Sequence, residues 1–229
     1  FIVVASKDGI GAIQQGNLTG FSLEMIGAAI VASVIVFVGI ELLEVLLARV
    51  NGFKYAFQLS PLRILTLLVT GALLRHPFGY PGNSYRGQQE EGLVRVDGWM
   101  AITKLSFILG LSGILSWLVT IDSGGLYAPL GVTISLMMLM YFSMPLSSLD
   151  GHRLWKWNPL FSIVSLVVGT TLYFGTLNRF IDYSMLSMIG FVSLAAFIGM
   201  LSFMFTPKFQ LAIELNRKEL TESTELTPE

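Results

Sequence analysis

Cysteine is absent from this chain of 229 residues, and histidine occurs only twice, at His76 and His152. Without cysteine the chain has no disulfide, no thiolate metal site and no cysteine nucleophile. Charged residues are also scarce, at 13% of the chain against about 25% in soluble domains. A net charge of −1 argues against nucleic acid as a partner. The chain therefore lacks the polar surface of a soluble protein and the chemistry of a thiol enzyme.

The chain is instead rich in long apolar runs. A membrane-spanning helix needs about 20 apolar residues. Five runs reach or approach this length: 21–48, 99–121, 127–149, 159–177 and 181–205. They predict an all-α, polytopic helical membrane protein with about five to six transmembrane helices in a lipid bilayer.

The basic residues predict how these helices are oriented. The run 62–74, which follows Pro61, is too short for an ordinary span and suits a re-entrant or interfacial segment, although a crossing is not decided by length alone. If it does not cross, eleven of the 14 basic residues lie on one side, which the positive-inside rule makes cytoplasmic. This predicts an external segment 1–20, a transmembrane domain 21–206 in the cell membrane, and a cytoplasmic, largely disordered tail 207–229. Lys104, one turn inside its span, is expected to snorkel to the cytoplasmic surface.

Three carboxylates lie at membrane depth, where ionisable groups are costly and default to functional candidates. Glu41 and Glu44 are one helical turn apart and share a helix face. Asp150 follows the helix-breaking Pro145 by five residues and precedes Gly151. Unwound backbone at this depth must be covered by protein or line a water-filled cavity. We therefore expect the three carboxylates to line one pocket that Pro145 and Gly151 shape.

Several motifs resemble those of the site-2 protease family, the intramembrane zinc metalloproteases of peptidase family M50, and especially its archaeal members. The sequence M-P-L-S-S-L-D-G-H-R at 144–153 is similar to the family's N-x-x-P-x-x-x-L-D-G motif, and W-N-P at 157–159 continues it. P-F-G-Y-P-G at 77–82 is similar to the family's Pro-Gly loop. The resemblance covers most of residues 31–170 and implies a site-2-protease-like core.

The family's H-E-x-x-H motif aligns with I-E-L-L-E at 40–44. In that motif two imidazoles bind zinc while the glutamate activates water. The resemblance places Glu41 at the general-base position and Asp150 at the third ligand position, whereas Ile40 and Glu44 replace both histidines. Ile40, Glu44 and Asp150 are thus vestigial metal-site positions, and neither a catalytic residue nor a cofactor is expected.

The leading hypothesis is a pseudoprotease that serves as an accessory or scaffold subunit of a membrane complex, with other membrane proteins as partners. An alternative is an intramembrane metalloprotease with a rebuilt site, in which Glu41, Glu44, Asp150 and His152 hold zinc or another divalent metal. A further alternative is a component of an ion or proton pathway, because intramembrane carboxylates mark such pathways.

A simpler interpretation of Glu41 and Glu44 stands beside these hypotheses. A buried charge without a partner is expensive, so buried carboxylates are usually protonated or paired. The candidate partners for such a pair are Arg49, Lys104 and Arg153.

Overall fold

The computed structural model describes most of the predicted transmembrane domain. The described residues are 23–51, 55–59, 82–86, 94–123, 127–145 and 150–207, with the single residues 61, 65, 69, 125, 209, 211 and 214. They form helices α1 (Leu23–Val50), α2 (Val94–Thr120), α3 (Tyr127–Ser143), α4 (Asp150–Trp157), α5 (Pro159–Leu177) and α6 (Tyr183–Met204). Strands β1 (Tyr55–Leu59) and β2 (Gly82–Arg86) lie between α1 and α2.

Four of the helices that the structure describes are long and apolar enough to cross a membrane. They are the spans Ile30–Val50 in α1, Val96–Thr120 in α2, Pro159–Leu177 in α5 and Tyr183–Met204 in α6. The prediction of a polytopic helical membrane protein is therefore confirmed. The fifth predicted span is shorter than its apolar run, because α3 has 17 residues and ends just before Pro145. At about 1.5 Å per residue, α3 is roughly 25 Å long.

Helix α3 lies at the centre of the bundle and packs against α1, α2 and α5. Twelve of its 17 residues are buried, whereas α5 and α6 bury only four residues each. The outer helices instead expose apolar side chains, as expected for surfaces that face lipid tails. Helix α1 also has an exposed apolar face, which consists of Ile30, Val31, Val34, Ile35, Val38, Leu42 and Leu46.

Helices α2 and α6 run antiparallel and pack along their whole length. Trp99 near the start of α2 contacts Phe203 near the end of α6, with ring centroids 5.4 Å apart. Further along, the backbones cross at Gly113 and Gly190. A Cβ atom built on Gly113 would lie 2.4 Å from the Cα of Gly190, so neither position has room for a side chain. Small residues at such crossings let membrane helices approach closely.

Local signals in the sequence mark where α5 and α6 begin. The side chain of Asn158 accepts a hydrogen bond from the Leu160 backbone at 3.0 Å and so caps α5. Asp182 caps α6 in the same way, accepting from the Met185 backbone at 2.7 Å. These side chains satisfy amide groups that have no partner within the helix. Arg179, just past the end of α5, adopts a left-handed conformation with φ of 60°.

The strand pair was not predicted from the sequence. β1 and β2 are antiparallel, with Tyr55 opposite Arg86 and Leu59 opposite Gly82. Each strand has five residues, and a long segment separates them, so the pairing has no local turn signature. Of the possible re-entrant run 62–74, only residues 65 and 69 are described, so that prediction lies outside the described residues.

The two predicted flanking segments lie mostly beyond the described residues. Segment 1–20 lies wholly outside them, as does most of the tail 207–229. At the start of that tail, Phe209 is buried and packs against Phe203, with ring centroids 5.3 Å apart. Phe209 therefore anchors the tail to the helix bundle close to where the tail begins.

Candidate functional site

Helix α1 carries three of the positions that the sequence singled out. Ile40 is fully buried and belongs to the main apolar core, together with Ile108 of α2 and Met138 of α3. Its side chain has no atom that could ligate a metal. Glu41 is partly exposed, but its Oε1 atom is enclosed by protein. Glu44 is buried one turn further along the helix.

Glu44 forms a buried ion pair with Lys104 of α2. The Nζ atom of Lys104 donates to Oε1 of Glu44, and the two side chains are only 5% and 9% exposed, respectively. The expectation that Lys104 snorkels to the surface is therefore wrong. The side chain turns into the bundle because a buried carboxylate of opposite charge lies within its reach. In a low-dielectric interior such an attraction is much stronger than in water. Of the three candidate partners for the carboxylates, Lys104 is the one that pairs with Glu44.

A third helix contributes to this site through an aromatic ring. The Nζ atom of Lys104 lies 3.7 Å from the centroid of the Phe142 ring on α3. The electron-rich face of an aromatic ring attracts a cation, and the attraction is largest when the cation is desolvated. A buried ion pair overcomes its desolvation cost only when good geometry and further partners compensate it. Glu44 and Phe142 together supply this compensation, so α1, α2 and α3 meet at one ammonium group.

The joint between α3 and α4 is built from backbone contacts. Helix α3 ends at Ser143, and Pro145 follows, as expected for a residue that lacks a backbone amide hydrogen. Asp150 opens α4, but its side chain lies outside the described set. A Cβ atom on Gly151 would lie 2.3 Å from the carbonyl oxygen of Ser143. The carbonyl of Gly151 also accepts a hydrogen bond from the Ser162 hydroxyl at 3.0 Å, which ties α4 to α5. Gly151 thus sits where the chain folds back over the end of α3.

The described side chains do not fit a zinc site at these positions. Ile40 offers no ligand atom, and the carboxylate of Glu44 is bound by the ammonium group of Lys104. Among the residues that the structure describes, no three histidine, aspartate or glutamate side chains lie together in a group that could hold a metal. His152 is half-buried on α4 and belongs to no such group. The side chain of Asp150 is not described, so its predicted place in the pocket stays a prediction.

Sequence reasoning missed Phe142 as a member of this site. The sequence carried only a partial signal, because a lysine within an apolar span that does not reach the surface needs an anion or an aromatic face. The sequence does not show which ring on which helix supplies that face. The contact depends on how α2 and α3 pack.

No protein-family model, curated protein or solved structure matches this chain. The likeness to site-2 proteases therefore rests on the motifs in the sequence.

Proposed function

We propose that this chain is a catalytically inactive, site-2-protease-like membrane protein that serves as an accessory or scaffold subunit of a multi-subunit membrane complex. The observation that carries the proposal is the state of the two positions that align with zinc-binding histidines. Ile40 is sealed in the apolar core, and Glu44 is engaged by Lys104. The broken helix at Pro145 and the packed Gly151 support the likeness in fold.

The chemistry of peptide hydrolysis is not supported by this arrangement. A zinc peptidase needs neutral imidazole or carboxylate ligands around the metal and a general base that activates water. Glu41 holds the position of that base. Of the neighbouring ligand positions, Ile40 provides only an aliphatic side chain, and the carboxylate of Glu44 is already paired with the ammonium group of Lys104. Under this proposal, Glu41 has no metal-bound water to activate.

A scaffold role agrees with what the bundle retains. The four spans and the buried α3 keep a stable intramembrane core, and the outer faces of α1, α5 and α6 expose apolar side chains to lipid or to other membrane subunits. We place the N-terminus outside and the C-terminus in the cytoplasm, as the distribution of basic residues supports. Phe209 then anchors the cytoplasmic tail to the bundle.

Two measurements test this proposal. The purified chain in nanodiscs is incubated with transmembrane peptide substrates and zinc, beside the Glu41→Gln variant. We expect no cleavage by either protein, and cleavage by the wild type that Glu41→Gln abolishes would refute inactivity. Native membranes are then solubilised in mild detergent, and the tagged chain is analysed by native mass spectrometry. A complex with fixed stoichiometry is expected, whereas recovery of the chain alone under several mild detergents would contradict the subunit role.

A further inference from the structure

We propose that Lys104 is the resident cation of the Glu44 carboxylate, and that its ammonium group keeps divalent metal ions from binding there. This inference goes beyond the proposed function, because it concerns which cation the carboxylates accept and holds whether or not the chain belongs to a complex. It predicts that the site becomes a divalent cation site once the ammonium group is removed.

The geometry around Nζ of Lys104 supports this assignment. The atom is bound to the Glu44 carboxylate from α1 and faces the Phe142 ring from α3. It therefore occupies the volume directly beside the Glu44 oxygen, where a metal ion bound to that oxygen would lie. The side chain of Lys104 is 95% buried, so solvent does not readily draw the ammonium group away. A metal ion would have to displace a cation that is already desolvated, paired and covered.

The surroundings would accept a hard cation if the ammonium group were absent. Glu44 supplies a buried carboxylate from α1, and Glu41 lies one turn away on the same side of that helix. Carboxylate oxygens and water are the ligands that Mn²⁺ and Mg²⁺ prefer. Truncating the lysine to alanine would leave space for an ion and its waters beside Glu44. A buried carboxylate that has lost its counter-cation is costly, which favours uptake of another cation.

The test measures Mn²⁺ binding directly. The chain in nanodiscs is heated with and without MnCl₂. The unfolding midpoint is recorded for the wild type, for the single variants Lys104→Ala, Lys104→Arg and Glu44→Gln, and for the double variant Lys104→Ala/Glu44→Gln. Bound Mn²⁺ is counted by electron paramagnetic resonance after exchange into metal-free buffer. Lys104→Arg keeps the positive charge and serves as the matched control.

We expect one Mn²⁺ ion to bind to Lys104→Ala and to raise its midpoint by roughly 3–5 °C at about ten times Kd. The wild type, Lys104→Arg and the double variant should show neither the shift nor the bound ion. The inference would be overturned by Mn²⁺ binding to the wild type that Glu44→Gln abolishes, or by folded Lys104→Ala that binds none. If Lys104→Ala does not fold, the wild type and Lys104→Arg decide the question. Mn²⁺ binding to either protein that depends on Glu44 refutes the inference. No Mn²⁺ binding to either protein supports it.

Because metal occupancy and peptide cleavage are separate readouts, the two proposals can fail independently. Cleavage activity without Mn²⁺ binding would remove the pseudoprotease proposal and leave the resident cation in place. Glu44-dependent Mn²⁺ binding to the wild type without cleavage would remove the resident-cation proposal and leave the pseudoprotease proposal in place.

Discussion

Gly190 on α6 faces Gly113 on α2 so closely that one added methyl group should force the two helices apart. A Cβ atom on Gly190 would lie 2.2 Å from the Cα of Gly113, and one on Gly113 would lie 2.4 Å from the Cα of Gly190. Non-bonded carbon atoms prefer separations of about 3.5–4.0 Å. The obstructing atoms are backbone, so no rotation of a side chain can relieve the contact. Gly190→Ala therefore requires α2 and α6 to separate by roughly 1 Å or more.

The cost follows from the contacts that this separation weakens. A gap of about 0.5–1 Å already removes a quarter to a half of the dispersion attraction between two surfaces. The two helices pack along their full length, so many atom pairs lose attraction together. Overpacking substitutions in a well-packed core cost about 1–3 kcal/mol, and we expect Gly190→Ala at the upper end of this range. For a chain of this size the unfolding midpoint should fall by roughly 5–10 °C.

Gly199 provides a matched control on the same helix. A Cβ atom there meets no atom within 4 Å, so alanine adds no clash. Alanine also favours helix over glycine by about 0.5–1 kcal/mol. Gly199→Ala should therefore raise the unfolding midpoint, in contrast to Gly190→Ala. Both variants are compared with the wild type by thermal unfolding in the same detergent, followed by tryptophan fluorescence. Equal midpoints for Gly190→Ala and Gly199→Ala would show that α2 and α6 do not cross at this glycine pair.

Two further predictions concern the backbone. Gly151→Ala should destabilise the chain by at least about 2 kcal/mol, because its Cβ would lie 2.3 Å from the carbonyl oxygens of Ser143 and Met144. Thermal unfolding should show a larger loss than in the Glu41→Gln variant, and equal losses would contradict a close joint between α3 and α4. Arg179→Gly should stabilise the chain by about 1 kcal/mol, since φ of 60° strains an arginine but suits glycine. A midpoint that is unchanged or lower than that of the wild type would refute this strain.

The architecture of the helices was largely predictable because its signals are local. Each apolar run carries its own length and composition, and these properties alone decide whether a helix is stable within a bilayer. Pro145 marks the end of α3 because proline lacks the amide that the next helical turn would use. Asn158 and Asp182 cap the helices that follow them with their own side chains. Such features depend on a few neighbouring residues, so the order of residues is enough to indicate them.

The tertiary structure decided everything that depends on residues far apart in the chain. Lys104 was expected to reach the surface, but the packing of α1 and α3 against α2 brings Glu44 and Phe142 to its ammonium group. The pairing of β1 with β2 joins segments without a tight turn between them, so periodicity could not reveal it.

The candidate site, too, was visible in part from the sequence, and the rest was decided by the tertiary structure. The segment I-E-L-L-E at 40–44 contains no histidine, which is visible in the order of residues and limits the metal chemistry of this segment before any fold is known. Whether the carboxylate of Glu44 is free, protonated or paired depends on its electrostatic surroundings in the folded chain. Its answer depends on which charge the folded bundle brings within a few ångströms, because interaction energies in a low-dielectric interior change steeply with distance.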